Sequence, residues 1–232
     1  MQPADRVEKR RFVGREFLLW LWFESEAFEA TLSTRIQSTF GLWIEKHLVL
    51  SVGKEATRIK GTFPAGSREA KEALALGKLP EAAGLHLSWG DREVTFTLKA
   101  ETMALSGLVL PTVLGDEAEA PALLETNRRP KKGKKESAKV EEERVSDERH
   151  EAFYERMTLT REVEALVEAL YSEFLVLRLS DTWNSVVAPM LGAWVQGEEI
   201  EADAYRKARD AALSASRRGA SASVNRRRAR RP

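Results

Sequence analysis

The seven consecutive apolar residues Phe17-Leu-Leu-Trp-Leu-Trp-Phe23 constrain the fold more than any other feature of the chain. They lie within Gly14 to Glu26, where long side chains dominate and neither proline nor a further glycine intervenes, so the stretch reads as a helix. Its apolar residues surround every face rather than forming one stripe, which marks a buried helix. The run is far shorter than the roughly 20 residues that span a bilayer. It must therefore be enclosed by protein, and a 232-residue chain that is 43% hydrophobic can supply the surrounding layers.

The following segments suggest what those layers are. Leu48, Leu50 and Val52 alternate with Val49 and Ser51, Ala56 to Lys60 alternates charged with uncharged residues, and Gly53-Lys54 reads as the turn between the two strands. Pro64-Ala-Gly66 breaks the chain, Ser67 is placed to cap a short helix carrying Ala70, Ala73, Leu74 and Leu76, and Gly77 ends it. Leu85 to Trp89 and Val94 to Leu98, joined by Gly90-Asp91-Arg92-Glu93, form a hairpin signature, and Leu108 to Leu110 reads as a further strand.

Leu159, Val163, Leu166, Val167, Leu170 and Phe174 recur at helical spacing. Asp181 can cap a second helix through Trp183, Val187 and Trp194, with a kink or break at Pro189. Ile200, Tyr205, Ala208, Ala212 and Leu213 suggest a third. The expected class is α+β: an antiparallel sheet with packed helices, followed by a C-terminal helical segment. The expected organisation is a core over 12–113, a disordered charged linker over 114–150, helices packing on the core over 151–215 and a disordered arginine-rich tail over 216–232.

Most catalytic chemistry has no residues to carry it. The absence of cysteine removes disulfides, thiol nucleophiles and cysteine zinc sites, and fits a reducing compartment. His47, His86 and His150 lie far apart and form no metal-ligand spacing. Asp91, Glu93 and Lys99 on the hairpin come nearest to a Mg2+ nuclease centre, but match no metal motif. A non-enzymatic protein without cofactor, metal or catalytic residues is expected. Residues 1–11 lack the apolar core and cleavage pattern of a secretory signal, so the expectation is a cytoplasmic protein with no membrane partner.

Charge is the remaining signal. The net charge of +1 conceals two acid-free blocks. Arg128, Arg129, Lys131, Lys132, Lys134 and Lys135 contribute +6, while Arg217, Arg218, Arg226, Arg227, Arg228, Arg230 and Arg231 contribute +7, so the rest of the chain carries −12. A flexible polycation can follow a phosphate backbone without a fold of its own. The alternatives are a solubilising tail, an RNA-binding arm or a segment docked on the chain's own acidic helices.

Several segments resemble the C-terminal half of the recombination-associated RdgC family. They are Gly14-Arg-Glu-Phe-Leu-Leu-Trp-Leu-Trp-Phe23, Arg58-Ile-Lys60, Ala70 to Lys78, the hairpin strands, Arg156-Met-Thr-Leu159 and Leu166 to Leu175. The resemblance implies a mixed α and β protein that binds duplex DNA without sequence preference, associates with the nucleoid, forms a ring-shaped homodimer and restrains RecA-driven recombination. The family carries a large N-terminal portion that helps close the ring, to which little before Phe12 corresponds. The insertion from Leu114 to His150 and the arginine tail are also departures from its pattern.

The resemblance places DNA-facing cations near Arg58 and Lys60, which lie two apart on a strand and so share a face. Lys54, Lys78, Arg92 and Lys99 are secondary candidates, beside the two basic blocks. The competing reading for these body residues is ordinary solvated charge on a sheet face. Trp20, Trp22, Trp183 and Trp194 are expected in the core, Trp89 beside its turn is the one candidate for exposure, and Glu24, Glu26 and Glu29 read as a solvated helix end. The leading expectation is a sequence-independent DNA-binding protein that limits access of recombination proteins to duplex DNA. The alternative is a scaffold of the same fold whose acidic helices bind a protein partner.

Overall fold

The structure is a computed structural model that describes the backbone of residues 3–111 and 135–228 and the side chains of 13–111 and 150–216. The apolar run lies in the C-terminal half of helix α1 (Pro3–Ala27), and Phe17, Leu18, Trp20, Leu21, Trp22 and Phe23 are all buried. A helix apolar on every side needs partners on every side, and α1 has them. The sheet lies along one flank, and on another Phe174 packs 5.5 Å from Phe17 and 5.6 Å from Trp20 between ring centres. The helix approaches the sheet end so closely that a Cβ on Gly14 would lie 1.9 Å from the Ala100 carbonyl oxygen, a position only glycine can occupy.

The sheet is antiparallel with six strands: β1 (Thr31–Leu32), β2 (Phe40–Val52), β3 (Glu55–Gly61), β4 (Leu79–Trp89), β5 (Arg92–Lys99) and β6 (Leu105–Val109). β2 pairs β4 along one side and both β1 and β3 along the other, and β5 and β6 continue outward from β4. Period-two alternation sorts the side chains. Leu42, Ile44, Leu48, Leu50, Ile59, Ala83, Leu85, Leu87, Val94, Phe96 and Leu98 are buried, while the opposite positions are half-buried or exposed apart from the buried Gly84 and Ser51.

Helix α2 (Arg68–Ala75) begins where Ser67 predicts. The Ser67 hydroxyl accepts from the Ala70 amide at 3.1 Å and donates to the Pro64 carbonyl at 2.8 Å. Gly77, at φ 81, follows the helix end. Ser67→Ala is expected to lower stability by about 1 kcal/mol, read as a reduced urea midpoint at unchanged slope.

Three further helices follow: α3 (Lys135–Arg178), α4 (Ala188–Val195) and α5 (Ala202–Arg228). A single π-helical turn, Trp183–Val187, leads into α4, where the Ala188 amide donates to the Trp183 carbonyl. Pro189 lacks an amide hydrogen and its ring would crowd the Ser185 carbonyl in an α-helix, so the wider turn absorbs the proline without ending the helix. Residues 135–150, within the expected linker, are helical at the start of α3, and the tail is helical in α5 as far as Arg228. Both stretches are rich in Glu, Lys, Arg or Ala, which favour helix even where there is no core pattern.

The expected class holds, an antiparallel sheet with packed helices and a C-terminal helical segment, and so α+β. The chain divides into two compact units, 1–109 with 166–232, and 110–165. In the first, Leu166, Val167, Leu170, Phe174, Trp183, Trp194 and Tyr205 join α1 in the core. In the second, the described part of α3 exposes Phe153 and Tyr154, whose rings lie 5.9 Å apart.

Candidate nucleic-acid interface

The sheet face turned away from the buried side chains collects the exposed cations. Arg58 stands opposite Val49, Val49 opposite Ala82 and Ala82 opposite Lys99, so Arg58 and Lys99 end one row across four strands. Lys60 stands opposite His47 in the next row, and Lys46 is exposed beside it. Arg58, Lys60 and Lys99 are all exposed, and among the described residues of this face the carboxylates are Glu45 and Glu93. Glu45 is engaged, with Oε2 2.5 Å from His86 Nδ1, while Glu93 lies 3.9 Å from His86 Nε2.

Three of the six body candidates, Arg58, Lys60 and Lys99, therefore share this surface. Lys54 is exposed in the turn at the end of β2 and β3. Lys78 sits at the rim on the helix side, where its Nζ donates to Thr57 Oγ1 at 2.9 Å and lies 4.0 Å from Glu55. Arg92 pairs with Trp89 at the hairpin end, in register with the buried face. Arg128, Arg129, Lys131, Lys132, Arg230 and Arg231 lie outside the described residues. Arg217, Arg218, Arg226, Arg227 and Arg228 lie on α5, their side chains outside the description.

The same face holds groups the sequence reading did not select. Trp43 stacks on His86 across the strands, with ring centres 4.0 Å apart and an interplanar angle of 21°. Trp43 follows Gly41-Leu42 at the odd, outward register of β2, a signal visible in the alternation once the strand is extended back to Phe40. Between β2 and β4 the register slips, Ile44 facing Leu85 and Leu48 facing Ala83, so β2 carries two extra residues. The bulge holds Lys46 at φ 67, and its Nζ reaches Thr95 Oγ1 at 3.1 Å. Next to it, burial and then the Lys60 charge lower the proton affinity of His47.

A second concentration of charge is internal. Glu24 is not solvated, as its place near a helix end suggested, but fully buried. Its Oε1 accepts from the Tyr205 hydroxyl, which in turn accepts from Trp20 Nε1 at 2.9 Å. Arg209 Nε stands 3.2 Å from the same oxygen without hydrogen-bond alignment, and Glu24 Oε2 has no partner among the described residues. Arg209 also reaches Glu173 at 3.3 Å and the Ser33 carbonyl at 3.4 Å. Burial outweighs the Arg209 charge and raises the Glu24 carboxyl to about 7. For Arg209 the neighbouring carboxylates outweigh burial and hold the guanidinium charged, while burial and then Glu24 keep Tyr205 protonated.

Glu26, also expected in solvent, is half-buried. It lies 2.8 Å from Lys71 Nζ and accepts from the indoles of Trp22 at 2.6 Å and Trp194 at 2.8 Å. Glu29 alone of the three is exposed. Beside this cluster is an open cavity of about 810 Å3 walled by Glu26, Glu198, Glu199, Glu201, Asp203 and Trp194.

Among the described residues no group of three or more histidine and carboxylate side chains is placed to hold a metal ion, Asp91 and Glu93 included. No described helix is long and apolar enough to cross a membrane. No protein-family model matches the chain, and no curated protein matches it.

Proposed function

We propose that the chain is a sequence-independent DNA-binding protein that occupies duplex DNA through its open sheet face and so limits access of recombination proteins. One observation carries the reading: Arg58, Lys60 and Lys99 stand exposed on a single sheet surface that also carries Lys46. Each cation that neutralises a phosphate releases condensed counterions, and such contacts position a protein on DNA without reading bases. The resemblance to RdgC points to the same stretch, and the arginines of α5 and beyond would add to the electrostatic attraction.

The test is fluorescence anisotropy with duplex DNA, single-stranded DNA and RNA over a salt series. Duplex binding is expected to weaken steeply with salt, and replacing Arg58, Lys60 and Lys99 by methionine together to reduce the log–log slope by about 3. Binding that ignores salt, or a triple variant with unchanged slope and affinity, rejects the proposal.

The acidic cavity supports a second reading, a scaffold that receives a basic segment of a protein partner. Capture of a specific partner that survives nuclease treatment and is lost in Glu199→Lys would favour it over DNA binding.

A further inference from the structure

We infer that the cavity at the β2 bulge is a seat for one phosphate group, held by Lys46 and His47 with the hydroxyls of Thr95 and Thr97, beside the charge of Lys60. The inference relies on the nucleic-acid reading only for the source of that phosphate, a backbone diester rather than the free ion.

The cavity has a volume of about 180 Å3, with Glu45, Lys46, His47, Gly84, Thr95 and Thr97 in its lining. That is below the roughly 300–1,000 Å3 of pockets enclosing whole organic ligands, yet several times the ~30 Å3 share of one water. A single oxyanion suits it, and a nucleoside does not.

The walls are built for this cavity rather than left over from the pleat. Two extra residues in β2 open it and hold Lys46 in the left-handed region, costly for a residue with a Cβ and a common feature of functional sites. His47 lies across Gly84, where a Cβ would come within 3.0 Å of its Nδ1 and 2.2 Å of the Glu45 carbonyl oxygen. Glycine at position 84 is thus what lets the Glu45 carbonyl and the His47 imidazole approach β4 so closely. His47 Nε2 is 3.4 Å from Thr97 Oγ1, and Lys46 Nζ is 3.1 Å from Thr95 Oγ1.

The local field has the right sign. The charged and titratable groups facing His47 are Lys60 on β3, Glu45 and Lys46 on its own strand and His86 on β4, with threonine hydroxyls on β5 and no titratable side chain on β6. Glu45 is turned to His86, which leaves the amines to set the potential at the cavity. Burial and then the Lys60 charge lower the proton affinity of His47. A bound phosphate would raise it.

The test is an imidazole 15N NMR pH titration of the full chain with inorganic phosphate, against chloride at equal ionic strength, and with a short DNA oligonucleotide. Phosphate is expected to raise the His47 midpoint by about one unit or more. Lys46→Gly, which removes the amine and suits the positive φ, is expected to weaken phosphate binding about tenfold, as for a charge-assisted contact worth roughly 1.4 kcal/mol. If phosphate moves His47 but the oligonucleotide does not, the seat stands and the DNA reading fails. If the oligonucleotide binds on the Arg58 face while phosphate leaves His47 unmoved, or Lys46→Gly binds phosphate as the parent does, the seat is overturned and the DNA reading stands.

Discussion

Replacing Arg209 by alanine is expected to lower the unfolding free energy by about 3–5 kcal/mol near neutral pH, the range for removing one member of a buried ion pair. Arg209 is 5% exposed and faces two buried carboxylates from different helices, Glu24 on α1 and Glu173 on α3. Without the guanidinium, Glu173 keeps the Arg35 amide at 3.1 Å but loses the Arg209 contact. Glu24 keeps the Tyr205 hydroxyl and can lessen its own penalty by taking a proton. Urea unfolding followed by near-ultraviolet absorbance of the core tryptophans would show a lower midpoint at unchanged slope. Adding Glu24→Gln to Arg209→Ala should cost less than the sum of the single changes, because the second removes a charge that the first has stranded. A loss below about 1 kcal/mol, the level of an exposed pair, would show that the cluster does not hold the helices together.

That cluster also marks where the sequence ceases to be informative. Ser67, the Gly90-Asp91 turn and the shared face of Arg58 and Lys60 were legible because each depends on neighbours a few residues away: a cap, a turn and an alternation. The buried helix around Trp20 was legible because a run apolar on every side has no other stable placement. Glu24 was not, since a glutamate near a helix end resembles a solvated one until Tyr205 and Arg209, some 180 residues on, close over it.

The site divides along the same line. The cations of the open face follow strand periodicity, so the sequence placed them. The first half of β4 did not look like a strand, because Pro80, Ala82, Ala83 and Gly84 are weak strand formers held there by the pairing of β2 and β5 on either side. Gly84 was therefore not seen as the floor under His47, nor Trp43 as the stacking partner of His86. The bulge that opens the cavity is a mismatch between two strands, a property of the pair that neither segment displays alone.

The buried carboxyl makes a second strong demand, on the pH dependence of stability. Glu24 titrates at about 7 in the folded chain against an ordinary 4.5. The folded state thus keeps a proton that the unfolded state has released, so the contribution to stability is complete below the unfolded value and is lost as pH rises from there to about 7. At 1.36 kcal/mol per pK unit, the loss comes to about 3 kcal/mol. The proton belongs on Oε2, because Oε1 already accepts from Tyr205 and faces Arg209 while Oε2 has no described partner.

Glu24→Gln fixes the neutral form, with its carbonyl in the Oε1 position and its amide where Oε2 was. It should match the parent in stability below about pH 4 and exceed it by up to about 3 kcal/mol near pH 8, where the parent has buried a full charge. Urea midpoints of both proteins across that interval decide the matter. Parallel profiles would mean that Glu24 stays ionised throughout, with the Arg209 pair outweighing burial. A gap that opens as pH rises would mean that burial prevails, and that Arg209 is matched mainly to Glu173 in acid and to both carboxylates only above neutrality.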